Sequence, residues 1–270
     1  MTRGRRLYAP GPVGVPPAVL AAMARPVLHH RGPEFRELFS GVRAKLADAL
    51  AVPGDDVVVV TGSGSAAFEA ALLACVPAGA EVLCLRSGRF GEKWAGLCRR
   101  FGFAVTELEA DYGQEYDLDR LRVELAARPG TAAVVVVHSE TSTGMLHDVA
   151  AVARAARAAA PDALVIVDAV SSLAAAELRP REWDLDAVVS GSQKGLMTPP
   201  GLGFAWLSAR AWSRSEGLVP TGYLDLRRER ERQAEGGSGS TPATSLVAAL
   251  DVALDLVLEA GLEARWREKE

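Results

Sequence analysis

A chain of 270 residues, 49% hydrophobic and 24% charged, is long enough to bury a sizeable core in one or two domains. Its formal charge of −4, with arginines interspersed among Glu and Asp, excludes a phosphate-tracking nucleic-acid binder and a basic membrane-surface protein. Apolar runs such as Val57–Val60 and Val134–Val137 are far too short to span a bilayer. The basic start, Met1–Arg6, leads into Pro10-Gly11-Pro12 rather than an apolar segment, so no secretory signal is expected. Cys75, Cys84 and Cys98 have neither metal-ligand nor redox spacing, and Cys75 and Cys84 lie in apolar runs. They read as reduced core residues, which points to the cytoplasm.

The arm Leu7–Pro17 is rich in Gly and Pro and cannot be a regular helix. Helical spacing follows at Val19 and Met23, then at Phe35, Leu38, Phe39, Val42 and Leu46. From there, short β-branched runs alternate with amphipathic stretches. Strands are predicted over Val57–Val60, Glu81–Leu85, Val105–Leu108, Ala132–His138, Leu164–Asp168, Ala187–Ser190 and Gly203–Leu207. Helices are predicted over Ala66–Val76, Glu92–Phe101, Leu118–Ala127 and Val149–Ala160. After the flexible Gly236–Ser240, Thr241 and Pro242 have the form of an N-cap and first residue. The helix they open is expected to run to about Glu263, with Leu254, Leu258, Leu262 and Trp266 on one stripe. Alternating strand and helix implies right-handed crossovers and a mainly parallel sheet covered on both faces. Ligands of such sheets bind beyond the carboxyl ends of the strands. Every chemistry-bearing motif of this chain falls at such an end.

The first motif is Thr61-Gly62-Ser63-Gly64-Ser65, between a strand and a helix. Glycines allow a tight turn, and free N–H groups at the helix start make a phosphate cradle. It is also a plain glycine-rich turn, and Gly62, Gly64 and Ala67 fit a dinucleotide pattern. The next strand ends in Arg86 rather than the acid that holds a ribose, leaving an NADP-binding oxidoreductase as one alternative. The second is Asp168, closing the apolar run Ala163–Val167. A carboxylate there needs a charged partner, such as a protonated pyridine nitrogen. The alternative is an Asp capping Ser171 or Ser172. The third is Ser190-Gly191-Ser192-Gln193-Lys194-Gly195. A lysine whose proton affinity is lowered by burial forms an imine readily; the alternative is a surface lysine in a turn. The fourth, His138–Gly144, offers hydroxyls to a ligand or simply turn chemistry. His138 and His147 lack metal-ligand company. The fifth is Phe90, an aromatic able to stack on a flat ring or to join the core.

Taken together, Pro10-Gly11-Pro12, His30–Phe35, Gly62–Ser65, His138–Gly144, Val167–Ser172 and Gly191–Lys194 resemble the class V aminotransferases of fold type I, in particular the alanine/serine–glyoxylate group. The resemblance implies a three-layer α/β/α large domain with a mostly parallel, mixed sheet. It implies pyridoxal 5'-phosphate as cofactor, no metal, and transamination between alanine or serine and a 2-oxo acid, glyoxylate or pyruvate. Lys194 matches the Schiff-base lysine and Asp168 the partner of the pyridine nitrogen. Val170 and Phe90 match residues packed on the ring, and Thr141 the hydroxyl near the phenolic oxygen. Ser63, Gly64, Ser65 and Gln193 match the phosphate site. A homodimer is implied, with Ser240 and Thr241 reaching the partner's phosphate. Relatives of this kind continue past the position of Glu270 into a small domain carrying a carboxylate-gripping arginine. The chain therefore divides into an arm (1–17), a cofactor-binding large domain (18–240) and a linking helix (241–270), and the missing domain predicts weak turnover and apolar helix surface left in water. A lyase or desulfurase, or a non-catalytic cofactor-binding module, are the other readings.

Overall fold

The computed structural model describes residues 7–218 and 222–268. In chain order come α1 (Pro17–Met23), α2 (Pro33–Ala49), β1 (Val57–Thr61), α3 (Gly64–Cys75), β2 (Glu81–Arg86), α4 (Arg89–Arg100) and β3 (Ala104–Glu109). Then follow α5 (Leu118–Ala126), β4 (Thr131–Val137), the short ribbon β5 (Ser139–Glu140) and β6 (Met145–Leu146), α6 (Val149–Ala159) and β7 (Leu164–Asp168). The chain continues through β8 (Ala187–Gly191), β9 (Leu202–Leu207), α7 (Ala209–Ser215), α8 (Leu226–Ala234), α9 (Thr244–Ala260) and α10 (Leu262–Arg267).

Seven strands form one sheet in the order β1-β9-β8-β7-β4-β2-β3. Only β9 runs against its neighbours, β1 and β8. The other six therefore end at one edge. The strands read as continuous apolar runs because both faces are covered. Val57 and Val59 enter a core with Phe35, Phe39 and Leu46 of α2, while Val58 and Val60 enter another with Phe68 and Leu72 of α3. In β7, Val165 and Val167 face the first core, Leu164 and Ile166 the second. Helices α2, α5, α6 and α9 cover one face, and α3, α4 and α7 the other. This is the three-layer α/β/α arrangement expected. Asp117, Asp148 and Ser208 start α5, α6 and α7 by accepting hydrogen bonds from the first-turn amides. The three cysteines are buried and free. Among the described residues, no helix is long and apolar enough to cross a membrane.

The end of the chain differs from its expected form. The last long helix starts at Thr244, not at Thr241-Pro242: Ala243 has a non-helical ψ of 76°, and its N–H donates to Thr61 Oγ1 at the end of β1 (3.2 Å). It stops at Ala260, since Gly261 adopts a φ of +77° and turns the chain into α10. That fold-back buries Trp266 to 7% exposure and packs Leu258 and Leu262 on the first core. The expected stripe of apolar residues in water is not there. Helix α8 gave no apolar stripe in the sequence. It is held instead by Gln233, whose carboxamide pairs with both backbone groups of Val59 (2.9 and 2.7 Å) and so covers the edge strand β1.

His138, at the end of β4, is 3% exposed, with its Nδ1 unpartnered among the described residues. Burial, with His147 adding to it, pushes the imidazole from 6.5 down to about 4. The unfolded chain takes a proton between those values and the folded one does not. This group's stability is complete above pH 6.5 and is lost as pH falls towards 4, by up to about 3 kcal/mol. Urea unfolding at pH 7 and pH 5 is expected to show a drop roughly 2 kcal/mol larger in the parent protein than in His138→Gln. Equal drops would contradict a neutral, buried His138.

Candidate active site at the carboxyl edge of the sheet

A cavity of about 310 Å³ opens at the edge where the parallel strands end. Nine of the expected site residues line it: Ser63, Gly64, Ser65, Phe90, Thr141, Asp168, Val170, Gln193 and Lys194. The turn after β1 brings Ser63 to the start of α3, where Ser63 makes no side-chain cap and the first amides have no intrahelical acceptor. A Cβ on Gly64 would lie 2.5 Å from Val170 Cγ2, so only glycine allows the cradle and the β7 exit to meet.

Asp168 ends β7 and is 3% exposed. Its Oδ2 accepts from Trp94 Nε1 (2.6 Å) and its Oδ1 from the Val170 N–H (2.8 Å). It does not cap Ser171 or Ser172. Burial raises its carboxyl above the usual range, against the pull of those two donors. Lys194 follows the adjacent strand β8. Its Nζ donates to the Pro10 carbonyl (2.9 Å), and burial lowers its proton affinity against the opposing charge of Asp168. This is not a surface lysine. The N-terminal arm presses on it: Gly11 has a φ of +148°, and a Cβ there would lie 2.6 Å from Lys194 Cε. The Val13 N–H donates to the Gln193 carbonyl (3.1 Å), fixing the same contact. Thr141 Oγ1 shares a hydrogen bond with Ser171 Oγ (2.6 Å) at the mouth.

Sequence reasoning missed three contributors. Trp94 lies one turn beyond Phe90 on α4, is 2% exposed, and stacks on Phe68 at 3.9 Å between centroids. Its spacing from Phe90 was the available signal. Glu140 is fully buried and accepts from the Phe90 and Gly91 N–H groups (3.0 and 3.1 Å), which holds the first turn of α4 in place. Lys93 lines the cavity and donates to Ser65 Oγ (2.5 Å).

Ser240 and Thr241 are not brought to this cavity. Their segment docks on α8, where Glu229 accepts from Ser238 Oγ and the Gly239 N–H (both 2.9 Å). Arg86 is spent on ion pairs with Glu92, Glu107 and Glu109 (3.2, 2.8 and 2.6 Å), which removes it as a 2'-phosphate ligand. His147 hydrogen-bonds Ser87 Oγ (2.6 Å) and Glu115 (3.1 Å). A larger cleft, about 490 Å³, lies at the opposite edge, but its Asp55, Asp56, Arg181 and Arg230 are paired with one another.

A buried carboxylate and a half-buried lysine beside a helix start, on a mostly parallel sheet, define a cofactor enzyme of the aminotransferase type. Residues 18–270 match the family Aminotransferase class-V, and the chain belongs to it. An aspartate aminotransferase from Thermus thermophilus is 42% identical with a TM-score of 0.90, the match covering 97% of this chain and 73% of that one. An alanine–glyoxylate aminotransferase from a Nostoc species is 29% identical with a TM-score of 0.92, covering 99% and 71%. A protein named soluble hydrogenase, small subunit, from a Synechococcus species is 37% identical over 98% of this chain and 69% of its own length.

The Trp94–Asp168 bond generates a prediction. Hydrogen bonds to charged groups contribute about 1.5–3 kcal/mol. Trp94→Phe keeps an aromatic ring against Phe68 and removes the donor, so stability at pH 7 is expected to fall by at least about that amount, with a pH-independent packing loss added. The raised carboxyl is increasingly protonated on acidification, and a neutral acceptor loses less. The loss measured by urea unfolding should therefore shrink at pH 4. An equal loss at both pH values would mean that packing, not the bond, was removed.

Proposed function

We propose that the cavity binds pyridoxal 5'-phosphate and that the protein transfers the amino group of alanine or serine to a 2-oxo acid, glyoxylate or pyruvate. The observation that carries this is Asp168 and Lys194 at the ends of adjacent strands, facing one cavity beside a free helix start. The residues present fit the cofactor. Gly64 and Gly191 let the turn after β1, the exit of β7 and the lysine loop approach closely, Asp168 keeps lone pairs beyond its two protein donors, and among the described residues Lys194 has no carboxylate hydrogen-bonded to it. The bound group would supply a cationic ring that withdraws electrons from the substrate carbon.

Asp168 would hold the proton on the ring nitrogen; the cationic partner is what its burial otherwise lacks. Lys194, its proton affinity lowered, would offer a larger share of free amine to hold the cofactor and would accept the substrate's α-proton on Nζ. Ser63, Gly64, Ser65 and Gln193 would hold the phosphate. Phe90 and Val170 would pack on the ring, and Thr141 would meet its phenolic oxygen. Glyoxylate as acceptor is supported by the name of the Nostoc protein. The hydrogenase name of the Synechococcus relative belongs to that protein and is not carried over.

The same reading includes a homodimer in which Ser240 and Thr241 serve the partner's phosphate site. It also includes the division into an arm (1–17), a cofactor-binding body (18–240) and a linking segment (241–270), and a cytoplasmic setting that suits three reduced cysteines.

Purified protein given pyridoxal phosphate is expected to absorb in the visible, and borohydride to fix the label on Lys194. Asp168→Asn should keep the label yet slow α-proton exchange of L-alanine by a barrier of roughly 2–4 kcal/mol. A label on another lysine, or unchanged exchange in Asp168→Asn, would sink these roles. Turnover of L-alanine and L-serine with glyoxylate and with pyruvate identifies the substrates.

A further inference from the structure

A phosphate monoester carries about −1.5 to −2 charges at neutral pH. The groups of this chain expected around it are all uncharged, the amides at the start of α3, Ser63, Ser65 and Gln193, and so are the Ser and Thr expected from a second copy. A helix start offers about half a positive charge. That leaves most of the phosphate charge without a counter-charge in a partly enclosed site. The residues lining the cavity include two basic side chains, Lys194 and Lys93. Lys194 is committed to the imine.

We propose that Lys93 is a phosphate-binding residue, the cation that neutralises the cofactor's phosphate beside Ser65. The proposal rests on the reading that the cavity takes pyridoxal phosphate. Lys93 Nζ lies 2.5 Å from Ser65 Oγ, at the cradle itself. Among the described residues it has no carboxylate partner, unlike Arg86, which has three. Its ammonium stands 4.4 Å from the centroid of the Trp94 ring, and Trp94 is fixed by Phe68 and Asp168. The stem of Lys93 is thereby aimed along a rigid aromatic face. The backbone that carries it is held by Glu140 at the first turn of α4. One of three ammonium hydrogens serves Ser65, leaving two for phosphate oxygens.

Titration with pyridoxal phosphate and with pyridoxal, followed by visible absorption and by borohydride labelling, separates a phosphate role from a general one. Lys93 is exposed, so Lys93→Met should fold; matched thermal melts check this. Lys93→Met is expected to weaken pyridoxal phosphate about 10- to 100-fold and leave pyridoxal unchanged. Lys93→Arg should recover most of the loss. Raising ionic strength should weaken pyridoxal phosphate more in the parent protein than in Lys93→Met. An unchanged ratio of the two affinities in Lys93→Met overturns the proposal while leaving the cofactor reading intact. Loss of the label with both ligands overturns it differently, since Lys93 would then be the imine lysine. A parent protein that takes up neither ligand overturns the cofactor reading itself.

Discussion

A carboxylate at the end of an interior strand is the most demanding group in this fold. Asp168 is 3% exposed, and a charge so placed survives only with directed donors and a positive partner. Two donors come from the protein, and each constrains a different element. The Val170 N–H fixes the exit of β7. Trp94 Nε1 fixes α4, and through the Phe68 stack it ties α4 to α3. Glu140 then locks the start of α4 from the far side of the cavity. The walls of the site are thus assembled around one acid.

Strand β9 performs the complementary task. It is the one strand that runs against the others, and it lies between β1 and β8. Its beginning therefore meets their ends. The Gly62 N–H donates to the Gly201 carbonyl (2.9 Å) and the Ser192 N–H to the Leu202 carbonyl (3.0 Å). Gly203 has no room for a side chain, since a Cβ would lie 2.6 Å from the Ser63 carbonyl. The glycine-rich turn after β1 and the lysine loop, 130 residues apart by number, are registered on the same few backbone atoms. The N-terminal arm closes the arrangement by bonding Gln193 and Lys194.

What the sequence made legible follows from which interactions are local. The strands were readable because a buried β-branched run has few other fates. The site residues were readable because each sits where a strand ends, a place set by pattern alone. Trp94 and Glu140 were not, since their importance lies in bonds to residues 74 and 50 positions away. The start of α9 was misplaced as well: Thr241-Pro242 is a good local helix opening, but the segment is tethered to the end of β1 by Thr61, 182 residues away, and Ala243 stays non-helical. Helix α8 was invisible because its hold on β1 is a single carboxamide rather than an apolar stripe.

Two helix starts border the cavity, and only one is available to a ligand. At α4, the Phe90 and Gly91 amides are already bonded to the buried carboxylate of Glu140, so the positive end of that helix is satisfied within the protein. At α3, Ser63 makes no cap, and the first amides have no intrahelical acceptor. An anion entering the cavity meets an occupied helix end on one side and an open one on the other. Glu140 thereby does more than anchor α4: by filling the competing site it leaves the α3 end as the available helix start. The two helix starts therefore differ in kind: one is satisfied by a carboxylate of the protein itself, and the other has no side-chain cap.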